Sequence, residues 1–193
     1  MKHIELSQET YNARSDERIV FVKRGRTSGY AHLQFNVTML PFNKESASLM
    51  LARQVQTVRV HAGHLEVRTA GQRRRVFAEG ASFVVPAGSF CAWRNAGTDL
   101  AHVTVDVEPA GNVELLLEQL AGLSRDGKLD ELTGLPSRWL QTALLVHDVG
   151  GVYVDNGLPS LVQNFMYMVA APIARLLSLR SCYPQYSDSC VFV

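Results

Sequence analysis

Three cysteines and six histidines are the side chains of this sequence best suited to nucleophilic or metal chemistry: Cys91, Cys182 and Cys190, with His3, His32, His61, His64, His102 and His147. A thiolate nucleophile needs a base or a cation beside it to lower its pKa, so what Cys91 can do depends on what the fold places next to it. His61 and His64 are three residues apart, but they straddle a turn at Gly63 instead of sharing a helical face, and they do not read as a metal pair. The cysteines are odd in number and lack CxxC spacing, a usage that fits a reducing compartment better than a disulfide framework. Arg73, Arg74 and Arg75 alternate across a strand and make no continuous basic patch.

These residues must be positioned by strands, because up to Pro109 the apolar pattern has period two. Ala31 to Met39 alternates apolar with polar and stops at Pro41, as a half-buried strand does. Val55 to Val60, Leu65 to Thr69, Arg73 to Phe77, Ser82 to Val85, Cys91 to Asn95 and Leu100 to Glu108 are further strands. Turns at Gly63, Ala70-Gly71, Glu79-Gly80, Pro86-Ala87-Gly88 and Asn95-Ala96-Gly97 separate them. Many short strands so closely spaced predict a mainly β sandwich or barrel. His32, Gln34, Asn36, Thr38, His102, Thr104 and Asp106 occupy the polar phases. Facing a cavity they would supply acids and bases; facing outward, the default, they are solvated surface.

After Pro109 the period becomes helical. Asn112 is placed to cap a first helix with Leu115, Leu116, Leu120 and Leu123 on one face. A second helix is expected from Ser137 to Asp148 and a third from Ser160 to about Leu179, each behind a proline. The expected division is a β-barrel over residues 1–110 and a helical extension packed on it over residues 111–193. Leu161 to Leu179 is the one long apolar stretch, but Gln163, Asn164, Pro172 and Arg175 interrupt it. It reads as a packed helix kinked or broken near Pro172, with no membrane span. The start, Met1 to Thr10, is mostly polar and shows no secretory signal, so a cytoplasmic location is expected. Nineteen Lys plus Arg against 18 Asp plus Glu leave a net charge of +1, too little to neutralise phosphates, and no nucleic-acid partner is expected.

The most specific local signal is Gly80-Ala-Ser-Phe-Val-Val-Pro86-Ala-Gly88-Ser-Phe-Cys91-Ala-Trp-Arg-Asn95. Two glycines and a proline build a tight turn between strands, and Cys91 follows where the chain points into a barrel. The glycine, proline, glycine and asparagine offsets resemble the second motif of the cupin family. On that resemblance the first motif ends at Gly63; the family's metal-binding glutamate falls on Gln56, two of its histidines on Leu49 and Leu51, and the third on Cys91. A shifted alignment puts the two histidines on Met50 and Ala52, which supply no ligand either. Two leucines, an amide and a thiol suit none of the usual metals, so the resemblance implies a cupin jelly-roll with no metal and no cofactor. Glu108-Pro109-Ala110, Gly134-Leu135-Pro136, Ala171-Pro172-Ile-Ala174-Arg175-Leu176 and Tyr183-Pro184-Gln-Tyr186 extend the likeness to bacterial single-domain cupins with a helical tail.

The implied site is an apolar pocket. Phe35, Met39, Leu49, Leu51, Gln56, Val58, Phe90, Cys91 and Trp93 are its expected lining, Gln56 and Cys91 its candidate catalytic groups, and Tyr30, Phe42 and Met50 add apolar bulk. Gln56 either orients a carbonyl or hydroxyl of a ligand or is satisfied by its neighbours. Cys91 is either a nucleophile or a small buried lining residue. A pocket of this composition fits a metal-independent enzyme that folds a hydrophobic small molecule, of polyketide type in natural-product biosynthesis, for cyclisation or isomerisation. The alternative is a non-catalytic binder or sensor. A homodimer is expected, since cupins commonly pair through their sheets.

Overall fold

The computed structural model describes residues 9–69, 71–187 and 190; His3, Ala70 and most of the Met1 to Thr10 segment lie outside them. Ten strands precede the first α-helix: β1 (Glu9–Asn12), β2 (Glu17–Lys23), β3 (Leu33–Met39), β4 (Leu49–Leu51), β5 (Val55–Ala62), β6 (His64–Thr69), β7 (Arg75–Ala78), β8 (Ser82–Val85), β9 (Phe90–Asn95) and β10 (Ala101–Glu108). Helices α1 (Val113–Arg125) and α2 (Trp139–Val149), strand β11 (Val152–Val154) and helix α3 (Ser160–Leu176) follow. Every strand expected from the alternation is present. β1, β2, β4 and β11 were not anticipated.

The strands form two antiparallel sheets, ordered β1-β2-β3-β10-β5-β8 and β11-β4-β9-β6-β7. Neighbours distant in sequence, such as β10 between β3 and β5, give the crossed-over order of a jelly roll, and the sheets close over one shared core. Leu33, Phe35, Val37 and Met39 of β3 and Val103, Val105 and Val107 of β10 point inward, each under 3% exposed. Gly63 joins β5 to β6 at φ +80°, and a Cβ there would lie 2.7 Å from the Leu100 carbonyl oxygen, so only glycine fits.

The helical region is fastened to the barrel through α1 and through β11, and is tied together internally by two amides. Helix α1 is buried along most of its length. Glu114 and Glu118 on it receive the Arg24 guanidinium at 2.6 and 2.8 Å. Asn112 does not cap α1 with its side chain; its amide instead donates to the Val149 carbonyl at 3.1 Å, tying the start of α1 to the end of α2. Strand β11 pairs with β4, Val152 opposite Leu51 and Val154 opposite Leu49, so the region after Pro109 completes a barrel sheet. Helix α3 hangs from that strand through Gln163, whose amide accepts from the Val154 amide and donates to the Val154 and Leu158 carbonyls.

Two expectations are corrected here. Helix α3 runs through Pro172 to Leu176 instead of breaking at the proline, and Tyr167, Ala170, Ala171 and Ala174 form its buried side. Cys182 and Cys190 are disulfide-bonded, against the expectation of three free thiols; among the described residues Cys91 is the free cysteine. The tail folds back on itself through Tyr183 and Tyr186, which brings two cysteines eight residues apart to bonding distance. Among the described residues no helix is long and apolar enough to cross a membrane.

Candidate functional site

A cavity of about 100 Å³ opens between the two sheets under α1. Strand alternation delivers its walls: Ile19 from β2, Phe35 and Val37 from β3, Leu49 and Leu51 from β4, and Cys91 and Trp93 from β9. Val113, Leu116, Leu117 and Leu120 of α1 close it like a cover. The four positions at which the cupin resemblance places a metal, Leu49, Leu51, Gln56 and Cys91, all line this one cavity. Leu49 stands directly opposite Cys91 in the β4–β9 ladder.

The expected lining is only partly assembled. Phe35, Leu49, Leu51, Gln56, Cys91 and Trp93 face the cavity, whereas Met39 and Val58, both 0% exposed, are packed into the core away from it. Phe90 faces a different depression, beside the stacked rings of Phe77 and Phe83. Tyr30 and Phe42 are turned to solvent at 50% and 68% exposed and add nothing to the pocket. Both sit in turns at positive φ that direct them off the barrel.

Donor chemistry decides against a metal at these positions. Burial pushes the Cys91 thiol up to about 12, against the opposing Arg68 charge, so the sulfur is protonated at neutral pH and is a poor nucleophile. Leucine offers no lone pair and Gln56 a single neutral oxygen. Nor does any group of three or more His, Cys, Asp or Glu with metal-binding geometry occur among the described residues. The Gln56 side chain makes no hydrogen bond to another described residue while facing the cavity, which leaves its amide for a guest.

The histidines lie elsewhere. His32, Gln34 and Arg59 converge on Asp106 on the outer face of the six-stranded sheet, at 3.0, 2.7 and 2.7 Å. Partial burial of Asp106 works against ionisation, yet the hydrogen bonds from His32 and Gln34 and the charge of Arg59 hold its carboxyl below its ordinary value. His102 meets Thr38, and His61 meets Thr104, which bonds Asn36. The polar phases of β3, β5 and β10 are thus outward, cross-linked to one another.

One cavity residue was not anticipated at all. Glu17, at the start of β2, is 5% exposed and lines the cavity. Ser15 Oγ donates to its Oε2 at 2.7 Å and Trp93 Nε1 to its Oε1 at 3.1 Å. Burial raises its pKa to about 7, against the lowering effects of those two hydrogen bonds and of Arg14. A sequence signal existed: in Glu17-Arg-Ile-Val-Phe, Glu17 is in phase with Ile19 and Phe21, both buried. Register sets Glu17 and Gln56 far apart along the barrel. Glu17 pairs with Met39 and so with Ala101, whereas Gln56 pairs with Val107, six residues further along β10.

No protein-family model and no curated protein matches the sequence. Solved structures do. The Cnp3 cupin domain of Schizosaccharomyces pombe is 13% identical over 53% of this chain and 66% of that one, with a TM-score of 0.43. A sugar phosphate isomerase of the cupin superfamily from Silicibacter pomeroyi is 20% identical over 55% and 67%, at 0.44. KdgF from Halomonas sp. is 16% identical over 48% and 78%, at 0.41. This chain's own strand order, two facing antiparallel sheets with the Pro86 to Gly88 turn between β8 and β9, is that of a jelly-roll barrel, and a helical C-terminal region follows it.

Proposed function

We propose that this protein is a metal-independent cupin that takes a small, mainly apolar molecule into its barrel and promotes its isomerisation or cyclisation, in natural-product chemistry of polyketide type. The observation that carries the reading is the convergence of Leu49, Leu51, Gln56 and Cys91 on one apolar cavity without a metal-binding donor set. An engineered cavity of ~150 Å³ in another protein accepts benzene, whereas drug-sized sites measure roughly 300–1,000 Å³. At about 100 Å³ the cavity is smaller than either, so its guest is at most about one ring in size, and a longer guest requires α1 to lift. The neutral Cys91 thiol favours a second reading, a non-catalytic binder of the same guest.

Mass spectrometry of the purified protein under native and then denaturing conditions tests the shared part of both readings. An apolar molecule released on denaturation supports them, and a full equivalent of transition metal held by the barrel refutes them. Recovery of a released guest chemically changed after incubation with the protein separates enzyme from binder.

The reading includes a homodimer. The solvent face of α3 carries Val162, Phe165, Val169, Pro172 and Leu176, spaced alternately by three and four residues, with Arg175 as the helix's only charge. That spacing is the seam of two helices packing side by side, and a face whose one nearby cation, Arg175, is paired with Asp148 fits a second copy better than an anionic lipid surface. Light scattering giving a monomer mass would count against it. A cytoplasmic place stands only if Cys182 and Cys190 are kept reduced there, since disulfides persist in oxidising surroundings. Thiols trapped in intact cells should then number three per chain, and one would place the protein elsewhere.

A further inference from the structure

We infer that Glu17 is the group that moves a proton on a carbonyl-bearing, mainly apolar guest in the barrel cavity, an assignment that rests on the small-molecule reading above. The geometry is that of a built site. The carboxyl is buried in the wall of the cavity, beside Ile19 and Phe35, with one oxygen fixed by Ser15 and the other by the Trp93 indole. Among the described residues no ion pair reaches it. Arg14, the one cation that acts on it, directs its guanidinium to the carbonyls of Glu45, Glu131 and Leu132. A buried carboxyl with no ion-pair partner lowers stability, and an apolar side chain of like volume packs there at less cost. Packing therefore does not explain Glu17, whereas a role in proton transfer does.

Burial also poises the group. With a pKa of about 7, Glu17 populates both its carboxylate and its acid at neutral pH, the condition under which one residue takes a proton and returns it. The other titratable group of the lining, Cys91, changes only near 12, and no histidine or lysine faces the cavity. The step is a 1,3-proton shift. The carboxylate takes a proton from the carbon between a carbonyl and a C=C bond; that C–H pair becomes the new C=C bond of a dienolate, with the charge on the carbonyl oxygen. The carboxylic acid then protonates the far carbon, the charge returns to the C=O bond, and the conjugated ketone leaves with Glu17 again a carboxylate. No oxidant, reductant or second reactant enters. The protonated Cys91 thiol, two residues from Trp93 on β9, is a donor for the carbonyl oxygen.

The probe is 3-cyclohexen-1-one, a single ring near the upper limit of the cavity's size, which isomerises to the conjugated 2-cyclohexen-1-one. Binding is read by saturation-transfer NMR, conversion by ultraviolet absorbance, and proton return by deuterium uptake in heavy water. Wild type should bind the ring and convert it above the buffer rate, faster as pH rises through about 7. E17Q, close to isosteric, should still bind but lose the protein-dependent rate by about 100-fold or more. If E17Q converts the ring as fast as wild type, or wild type binds it without conversion, the Glu17 assignment is overturned. If neither protein binds, the small-molecule reading falls with it. A second measurement does not depend on the variant's folding. In W139F, Trp93 is the remaining tryptophan, and its emission should titrate near pH 7 as its Glu17 partner ionises; an emission flat from pH 5 to 9 also overturns the assignment.

Discussion

Replacing Gly122 by alanine should change sign according to whether Tyr186 is present. Gly122 lies within α1, and a Cβ built there falls 2.1 Å from Cγ of Tyr186 and 2.5 Å from both its Cδ atoms. The ring is held by contact with Tyr183 and by a hydrogen bond from its hydroxyl to Asp126, so it cannot simply rotate away. In an unobstructed helix interior, glycine to alanine stabilises by ~0.5–1 kcal/mol. Forcing a methyl into an occupied site costs about 1–3 kcal/mol. G122A alone should therefore be neutral to destabilising by about 2 kcal/mol, while in a Tyr186→Ala background the same change should stabilise by up to ~1 kcal/mol. Urea unfolding of wild type, both single variants and the double variant closes the cycle, with an expected coupling of about 1–3 kcal/mol. A coupling below ~0.5 kcal/mol would mean that the Tyr186 ring does not rest on α1 at Gly122.

The folded-state pKa of Glu17, raised from 4.5 to about 7, makes its effect on stability run opposite to that of a salt-bridged acid. Between those values the folded protein holds the proton more tightly than the unfolded chain, so stability falls as pH rises and the loss is complete above about 7, on the order of 3 kcal/mol. E17Q should remove that slope, gaining on wild type from pH 5 to pH 8 in chemical denaturation; parallel curves would refute the buried-carboxyl account. Arg24→Met should destabilise by roughly 2–4 kcal/mol, because it leaves Glu118 without a cation and Glu114 with only the more distant Arg26, and replacing both acids by glutamine in the same chain should recover most of the loss. A loss under 1 kcal/mol in thermal or urea melts would show that the acids find another partner.

Much of the barrel was legible because a strand with one buried face must alternate, and Leu33 to Met39 and Ala101 to Glu108 do so without interruption. The turn motif around Pro86 was equally legible, since its glycines are needed for backbone shape. β4 and β11 were not, because three residues are too few to show a period. Glu17 was missed for a different reason. A charged residue in an inward phase reads as a strand that has not yet begun, and only the opposite sheet, which supplies Trp93, shows what surrounds it. Met39 and Val58 share the phase of the lining residues, but the cavity occupies only part of the barrel's length, and alternation says which face a residue is on, not how far along it the empty space extends.

The pairing of β11 with β4 also orders events in time. Leu49 to Leu51 leave the ribosome about a hundred residues before Val152 to Val154, at roughly 5–20 residues per second. For those seconds the strand that floors the cavity has an unpaired edge, and α1 has emerged without α2 and the tail that will seat it. The nascent barrel is therefore open along this edge of its cavity, and the edge is covered only once the last third of the chain has been made. A guest trapped at that moment would be enclosed without α1 ever having to lift, which makes synthesis in the presence or absence of the guest a condition that loading of the cavity can depend on.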